Sequence, residues 1–224
     1  MKRNFLLKIF AVYALSACAN LDTKNIAPGY VEAYKALKNY YFGYENELIT
    51  ADLISRIPYA SSTLQIGSGS LGLIILESAD EDTFTWVSSD GIYLMLNKSG
   101  KIIRTKGLPN NLKGYDAVSF DMKELINSNK TSFSFTEYYS YDYPILNLLK
   151  VTTEYTVGKK ESIKLLNQNK DLVLISEQIE NKYLGWKENN KYWVDETGFV
   201  WKSIQNPSPK LPSFYIEVTK KPAE

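Results

Sequence analysis

Hydrophobic and polar positions change their spacing along this chain of 224 residues, and each change predicts a different element. A cationic start, Met1 to Lys8, leads into an apolar run that begins at Phe5 and continues through Ile9 to Ala14. Beyond it, Tyr30, Tyr34, Leu37 and Tyr41 recur every three or four residues. That spacing predicts a short amphipathic helix over residues 28–40, with Pro28 at its first position and its apolar stripe packed on the domain, the commoner fate of such a stripe, or else set against the membrane or a partner. From Thr63 onward the spacing becomes two, as in strands with one buried face. Leu64 and Ile66, Leu71 to Leu76, Phe84 to Val87, Ile92 to Leu96 and Lys101 to Thr105 read as successive strands. Turn signals separate them at Gly67 to Gly69, Asp80 to Asp82, Asp90-Gly91 and Lys98-Ser99-Gly100.

The second half alternates in the same way. Ser132 to Tyr138, Leu146 to Val157, Glu161 to Leu166 and Leu172 to Ile179 are strand candidates, with Gly158-Lys159-Lys160 and Gln168 to Asp171 as turns. Asp121 to Asn127 suits one or two helical turns. Lys191 to Val194 and Phe199 to Ile204 flank Asp195-Glu196-Thr197-Gly198, a hairpin signal, and Phe214 to Val218 supplies a last strand. Pro207, Pro209 and Pro212 keep the connection before it out of a regular ladder. Short strands joined by tight turns imply an antiparallel meander, and a sheet of this size curls. The expected fold is therefore mostly β: a curved antiparallel meander sheet, a half-barrel or sandwich, with the short N-terminal helix filling its concave side. The 17 tyrosines agree, because aromatic side chains suit a pleated, half-buried surface.

The N-terminal run is too short to span a bilayer as a permanent helix, which takes about 20 residues. A short cationic segment, an apolar run and small residues are the ordered parts of a secretory signal peptide. Here they end in Leu15-Ser16-Ala17-Cys18, which matches the lipobox of bacterial lipoproteins. In that pattern small side chains let a peptidase hold an extended backbone, Leu15 fills a pocket, and the cysteine thiol is acylated. The expected organisation is a signal peptide over residues 1–17, a lipidated tether over 18–27 and one β-rich domain over 28–224, held on a membrane through Cys18. By the sorting pattern of enteric-type bacteria, Ala19 directs such a protein to the outer membrane, facing the periplasm.

Composition narrows the chemistry. Cys18 is the only cysteine, so its acylation leaves the mature domain without a disulfide or free thiol. The chain has no histidine, which removes the commonest general base near neutral pH, the commonest zinc ligand and every Ser-His or Cys-His nucleophile pair. Basic and acidic side chains number 26 and 25, and Lys2, Arg3 and Lys8 lie in the segment expected to be removed. The mature domain is then slightly acidic, a poor electrostatic match for nucleic acid. No cofactor, metal or catalytic residue is expected.

Particular residues carry a family resemblance. Ile57-Pro58-Tyr59-Ala60-Ser61, Trp86 with Asp90-Gly91, Arg104-Thr105 with Gly107-Leu108 and Leu112, and Tyr192-Trp193-Val194-Asp195 with Thr197-Gly198, Ser203 and Gln205 together resemble the YjbF/GfcB family. That family comprises lipoproteins of group 4 capsule and exopolysaccharide operons. The resemblance implies a non-catalytic outer-membrane accessory in capsule or exopolysaccharide assembly or export, whose partners are export components or the polysaccharide itself. It transfers no active-site residues, because its motifs read as core aromatics, turn glycines and the extended entry at Pro58.

Three sharper possibilities need a structural test. Trp86, Trp186, Trp193 and Trp201 offer flat faces that suit sugar stacking, although large aromatics are more often core. Glu77, Asp80, Glu81 and Asp82 are oxygen donors for calcium or an acid pair for glycoside cleavage, although acids in a turn more often solvate a hairpin. The curved sheet with its Trp193–Gly198 hairpin also resembles lipoprotein carriers of the LolA type. A carrier of that kind needs a continuous apolar cavity for acyl chains, and a polysaccharide hydrolase needs paired acids across a cleft.

Overall fold

Alternation in the sequence becomes twelve antiparallel strands of one sheet, in the spatial order β5-β4-β3-β2-β1-β12-β11-β10-β9-β8-β7-β6. The computed structural model describes residues 49–117, 121–128, 130–166 and 168–222. The strands of the first half are β1 (Ser61–Ile66), β2 (Gly72–Ala79), β3 (Thr83–Ser88), β4 (Tyr93–Asn97), β5 (Ile102–Lys106) and β6 (Leu112–Asp116). Those of the second half are β7 (Ser132–Asp142), β8 (Ile145–Lys164), β9 (Asn169–Asn181), β10 (Trp186–Val194), β11 (Val200–Gln205) and β12 (Phe214–Lys220). Among the described residues two short helices accompany them. Helix α1 (Ala51–Ser55) is capped by Thr50, whose hydroxyl accepts from Leu53 N at 3.2 Å. Helix α2 (Met122–Asn127) is capped by Asp121, whose carboxylate accepts from Lys123 N at 2.9 Å.

The mostly β, curved antiparallel meander is as expected, and the sheet curls until it is nearly closed. Its two edge strands, β5 and β6, meet without a regular ladder. Thr105 Oγ1 accepts from Leu112 N at 2.9 Å and Arg104 Nε donates to the Lys113 carbonyl at 3.2 Å. Rolling a sheet in this way hides its edges, which would otherwise pair with other chains. Inside, Leu64, Ile74, Trp86, Leu94, Ile102 and Phe214 fill the half made by β1 to β5 and β12. Met122 and Leu125 of α2 pack with Tyr155, Ile175 and Tyr192 in a second cluster, and Leu112, Tyr139, Tyr141, Val151, Ile179 and Trp186 form a third.

Several sequence expectations change in detail. Leu146 to Val157 and Glu161 to Leu166 are not two strands, because β8 runs unbroken from Ile145 to Lys164. Gly158-Lys159-Lys160 is a β-bulge and not a turn: the register with β9 shifts between Val157 and Lys160. A Cβ at Gly158 would lie 2.8 Å from the Leu174 carbonyl oxygen, so the glycine serves close backbone approach. Strand β6 and helix α1 carried too little periodicity to be read, and β10 starts five residues before Lys191, at Trp186. The Asp195–Gly198 hairpin forms as expected between β10 and β11. The signal peptide, Cys18, the tether and the helix expected over residues 28–40 lie outside the described residues.

Candidate functional site

One group of chemically capable side chains converges, and it lies inside the rolled sheet. Glu137 of β7 and Glu177 of β9 are both fully buried, and Lys101, just before β5, is 2% exposed between them. Lys101 Nζ donates to Glu137 Oε2 at 2.6 Å and also to Glu177 Oε1. Strand pleat explains why the acids point inward. Glu137 shares its face with Tyr139 and Tyr141, and Glu177 alternates with Ile175 and Ile179, all buried. Register then aligns Tyr155, Glu177 and Asn190 across β8, β9 and β10.

Lys101 reaches the site because its turn bends inward. Gly100 adopts φ +69°, and a Cβ there would sit 2.7 Å from Val200 Cβ, so a side chain is excluded twice over. Gln205 of β11 grips the residues on either side of Lys101: its Oε1 accepts from Ile102 N at 2.8 Å and its Nε2 donates to the Gly100 carbonyl at 2.8 Å. Three tyrosine rings surround the ammonium, with Nζ 5.2 Å from the Tyr115 centroid, 5.8 Å from Tyr139 and 5.6 Å from Tyr155.

Two carboxylates against one ammonium leave an excess negative charge when all are ionised, and hydroxyl and amide dipoles offset it. Glu137 accepts from Tyr115 OH at 3.0 Å and from Tyr139 OH at 2.8 Å. Glu177 accepts from Tyr155 OH at 2.7 Å, Tyr192 OH at 2.7 Å and Asn190 Nδ2 at 2.8 Å. Burial pushes the Glu177 carboxyl up, but the Lys101 charge and these hydrogen bonds outweigh it and hold the group below its usual 4.5. Burial first, and then the two carboxylates, push the Tyr139, Tyr155 and Tyr192 hydroxyls well above 10. These acids are paired, but across a lysine in a sealed interior and not across a cleft, so a polysaccharide has no approach to them.

The residues expected to act from the sequence fall elsewhere. Trp86 and Trp186 are packed in the core, Trp186 edge-on to Tyr139 with ring centroids 6.1 Å apart. Trp201 is buried with its indole N–H on Asp195 at 2.8 Å and Lys170 Nζ 4.0 Å from its ring. Trp193 is half-buried, and its N–H donates to Glu161 at 2.6 Å. Glu77, Asp80, Glu81 and Asp82 are exposed around the β2–β3 turn, where Lys98 Nζ lies 3.4 Å from Asp82. Among the described residues no group of three or more such acids is placed to hold a metal.

Sequence reasoning missed Lys101, Glu137 and Glu177. The available signal was a charge at the apolar phase of a strand, as in Ile175-Ser176-Glu177-Gln178-Ile179. Two other spaces are of interest. A cavity of about 30 Å³ lined by Ile74, Trp86, Leu96, Val200 and Ile216 has room for one water-sized molecule and not for an acyl chain. A shallow groove of about 750 Å³ crosses the outward face of β8 to β10, lined by Glu154, Thr156, Ser176, Gln178, Lys187 and Asn189.

A nearly closed antiparallel sheet with the Glu137–Lys101–Glu177 group buried inside it defines a mostly β domain. The chain belongs to the YjbF family, the group 4 capsule polysaccharide lipoprotein gfcB, whose model matches residues 34–219. It is 24% identical over 173 residues to the uncharacterized lipoprotein YjbF of Escherichia coli (strain K12), covering 73% of this chain and 76% of that one. Its fold matches the crystal structure of the hypothetical lipoprotein YmcC from Escherichia coli (K12), with a TM-score of 0.69 and 18% identity over 84% of this chain and 95% of that chain. The family description and both relatives' names say lipoprotein, and none names an enzymatic activity.

Proposed function

We propose that this chain is a lipoprotein acylated at Cys18, held on the periplasmic face of the outer membrane, and that it assists capsule or exopolysaccharide assembly without chemistry of its own. The observation that carries the non-catalytic reading is the sealing of the Glu137–Lys101–Glu177 group, in which each charge is buried and taken up by the others. A glycosidase needs one protonated and one free carboxyl flanking a substrate, and this pair flanks a lysine. The capsule role rests on family membership, and the anchor on the Leu15-Ser16-Ala17-Cys18 pattern. The cavity of about 30 Å³ among the core side chains is itself too small for an acyl chain, and a carrier would need a continuous apolar space elsewhere. Of the four tryptophans, Trp193 keeps a solvent-facing edge and is the one at which direct sugar contact is best tested.

The experiment is deletion and complementation in the native host. Loss of the gene is expected to remove surface polysaccharide, and the intact chain to restore it. Cys18→Ser should take up no acyl label and restore little. Purified protein incubated with that polysaccharide should release no reducing ends. Cleavage that vanishes on replacing a particular Asp or Glu would overturn the non-catalytic reading, and acyl label that survives Cys18→Ser would overturn the anchor.

A further inference from the structure

In a meander every second turn lies at the same end of the sheet, so the β7–β8 and β9–β10 hairpin tips are neighbours through the β8–β9 pairing. The four most exposed large apolar side chains among the described residues are all on these tips: Tyr183 at 88%, Tyr143 at 77%, Ile145 at 76% and Leu148 at 66%. Four large apolar side chains this exposed, all on turns at one end of the sheet, mark a surface for an apolar partner. The backbone beneath is fastened. Buried Asn181 donates to the Lys150 carbonyl at 2.7 Å and accepts from Leu184 N at 2.7 Å, tying the two tips together. Asn110 donates to the Tyr143 carbonyl at 2.5 Å, and Asn111 N donates to Asp142 at 2.8 Å.

Leu148 adds an independent sign. It has φ +51°, a left-handed conformation unfavourable for leucine, held by its N–H on Ser140 Oγ at 3.0 Å. Strain of this kind persists where the surroundings enforce it, and here it presents an apolar side chain outward. Within the tips themselves, from Asp142 to Lys150 and from Lys182 to Glu188, the exposed charges are Lys150, Lys182 and Lys187 against Glu188, while Asp142 is engaged by Asn111 and half-buried Glu180 stands opposite Lys187 in the β9–β10 pairing. At the same end Lys210 is exposed on the β11–β12 loop, Lys106 at the close of β5 and Asp90 in the β3–β4 turn, whereas the acidic turns Asp80–Asp82 and Asp195–Glu196 lie at the other.

We propose that these two hairpin tips form a membrane-docking surface that inserts Tyr143, Ile145, Leu148 and Tyr183 into the interfacial region of a phospholipid bilayer, with the flanking lysines on anionic headgroups. Tyrosine suits that depth because its ring is apolar and its hydroxyl stays wet, and lysine stems bury while their heads meet phosphate. Rigid tips lose little conformational freedom on insertion. The docking fixes how the domain stands on the bilayer, and it does not depend on the acyl anchor.

The test uses the full chain, purified from membranes and reconstituted in phosphatidylcholine vesicles with or without phosphatidylglycerol. The readout is amide hydrogen exchange. Exchange over residues 143–148 and 182–185 is expected to slow about tenfold or more on the anionic vesicles, with part of that protection lost at high salt. The triple variant Tyr143→Ser, Ile145→Ser, Tyr183→Ser should lose the protection and keep its unfolding midpoint, because all three side chains are exposed. Tip amides that exchange alike with and without anionic lipid would overturn the proposal. So would protection that rises with protein concentration at fixed lipid, which marks a second copy as the occupant. A chain found without an acyl group that still shows tip protection would support docking while refuting the lipoprotein reading.

Discussion

Lys101 is the residue on which the interior depends most. Two buried carboxylates are tolerable because one ammonium sits between them and the tyrosine hydroxyls complete their coordination. Removing the cation leaves uncompensated charge in a dry place, so Lys101→Met is expected to cost about 3–5 kcal/mol of stability, read by urea unfolding. A loss no greater than that of an exposed pair, about 1 kcal/mol, would show that the acids share a proton and need no lysine. The same groups set the pH range of stability. The folded Glu177 carboxyl lies below its ordinary 4.5, so its contribution is complete above about that pH and is lost as pH falls through the lowered value. The buried Tyr139, Tyr155 and Tyr192 hydroxyls are raised above 10.0, so theirs is complete below that pH and lost as it rises further. Urea midpoints measured across pH should therefore fall at both extremes. Glu177→Gln should flatten the acid limb, and an acid limb as steep as before would reassign it to other carboxylates.

At the scale of elements, the difference between a turn and a bulge at Gly158 shows what local signals omit. Gly-Lys-Lys between two alternating segments satisfies a turn rule, and both segments alternate correctly on their own. The structure keeps them in one strand because β9 pairs with both sides of the bulge, from Thr152 to Lys164. Propensity alone would make Gly158→Ala stabilising in a strand. Here the new Cβ would sit 2.8 Å from the Leu174 carbonyl, and close-packed backbone cannot yield cheaply. The expected sign is reversed: a loss of about 1–3 kcal/mol, measured as a lower thermal midpoint. Unchanged or raised stability would mean that the bulge relaxes. The Asp195–Gly198 turn was legible because its chemistry is local, with Asp195 accepting from Thr197 N at 2.9 Å and Phe199 N at 3.1 Å.

The whole molecule is closed by contacts that no hairpin rule contains. Arg104, Thr105 and Leu112, prominent in the sequence as shared motif residues, make the seam between β5 and β6. Thr105 is 2% exposed, and its hydroxyl takes the N–H of buried Leu112 across the seam. Thr105→Val, nearly equal in size, strands that donor and is expected to cost about 1–3 kcal/mol. Local loosening should follow, seen as faster hydrogen exchange along β5 and β6 with β8 to β10 unchanged. Uniform loss of protection across all strands would show instead that the seam and the long strands unfold as one unit. Gln205, another of the motif residues, works at the same scale by holding the Lys101 turn from across the interior.

Sequence by itself determined what depends on neighbours along the chain. That covers the two-residue alternation of most strands, the turns at Asp90-Gly91 and Asp195–Gly198, the antiparallel connectivity and, through motif residues spread from Ile57 to Gln205, the family. Tertiary structure decided what depends on partners far apart. It joined Lys101 to Glu137 and Glu177, which are 36 and 76 residues away, closed β5 onto β6, and placed Trp86, Trp186 and Trp201 in the core. The physical reason is that pleat determines which side of a strand a residue occupies, whereas curvature and register across the whole sheet determine what it meets there.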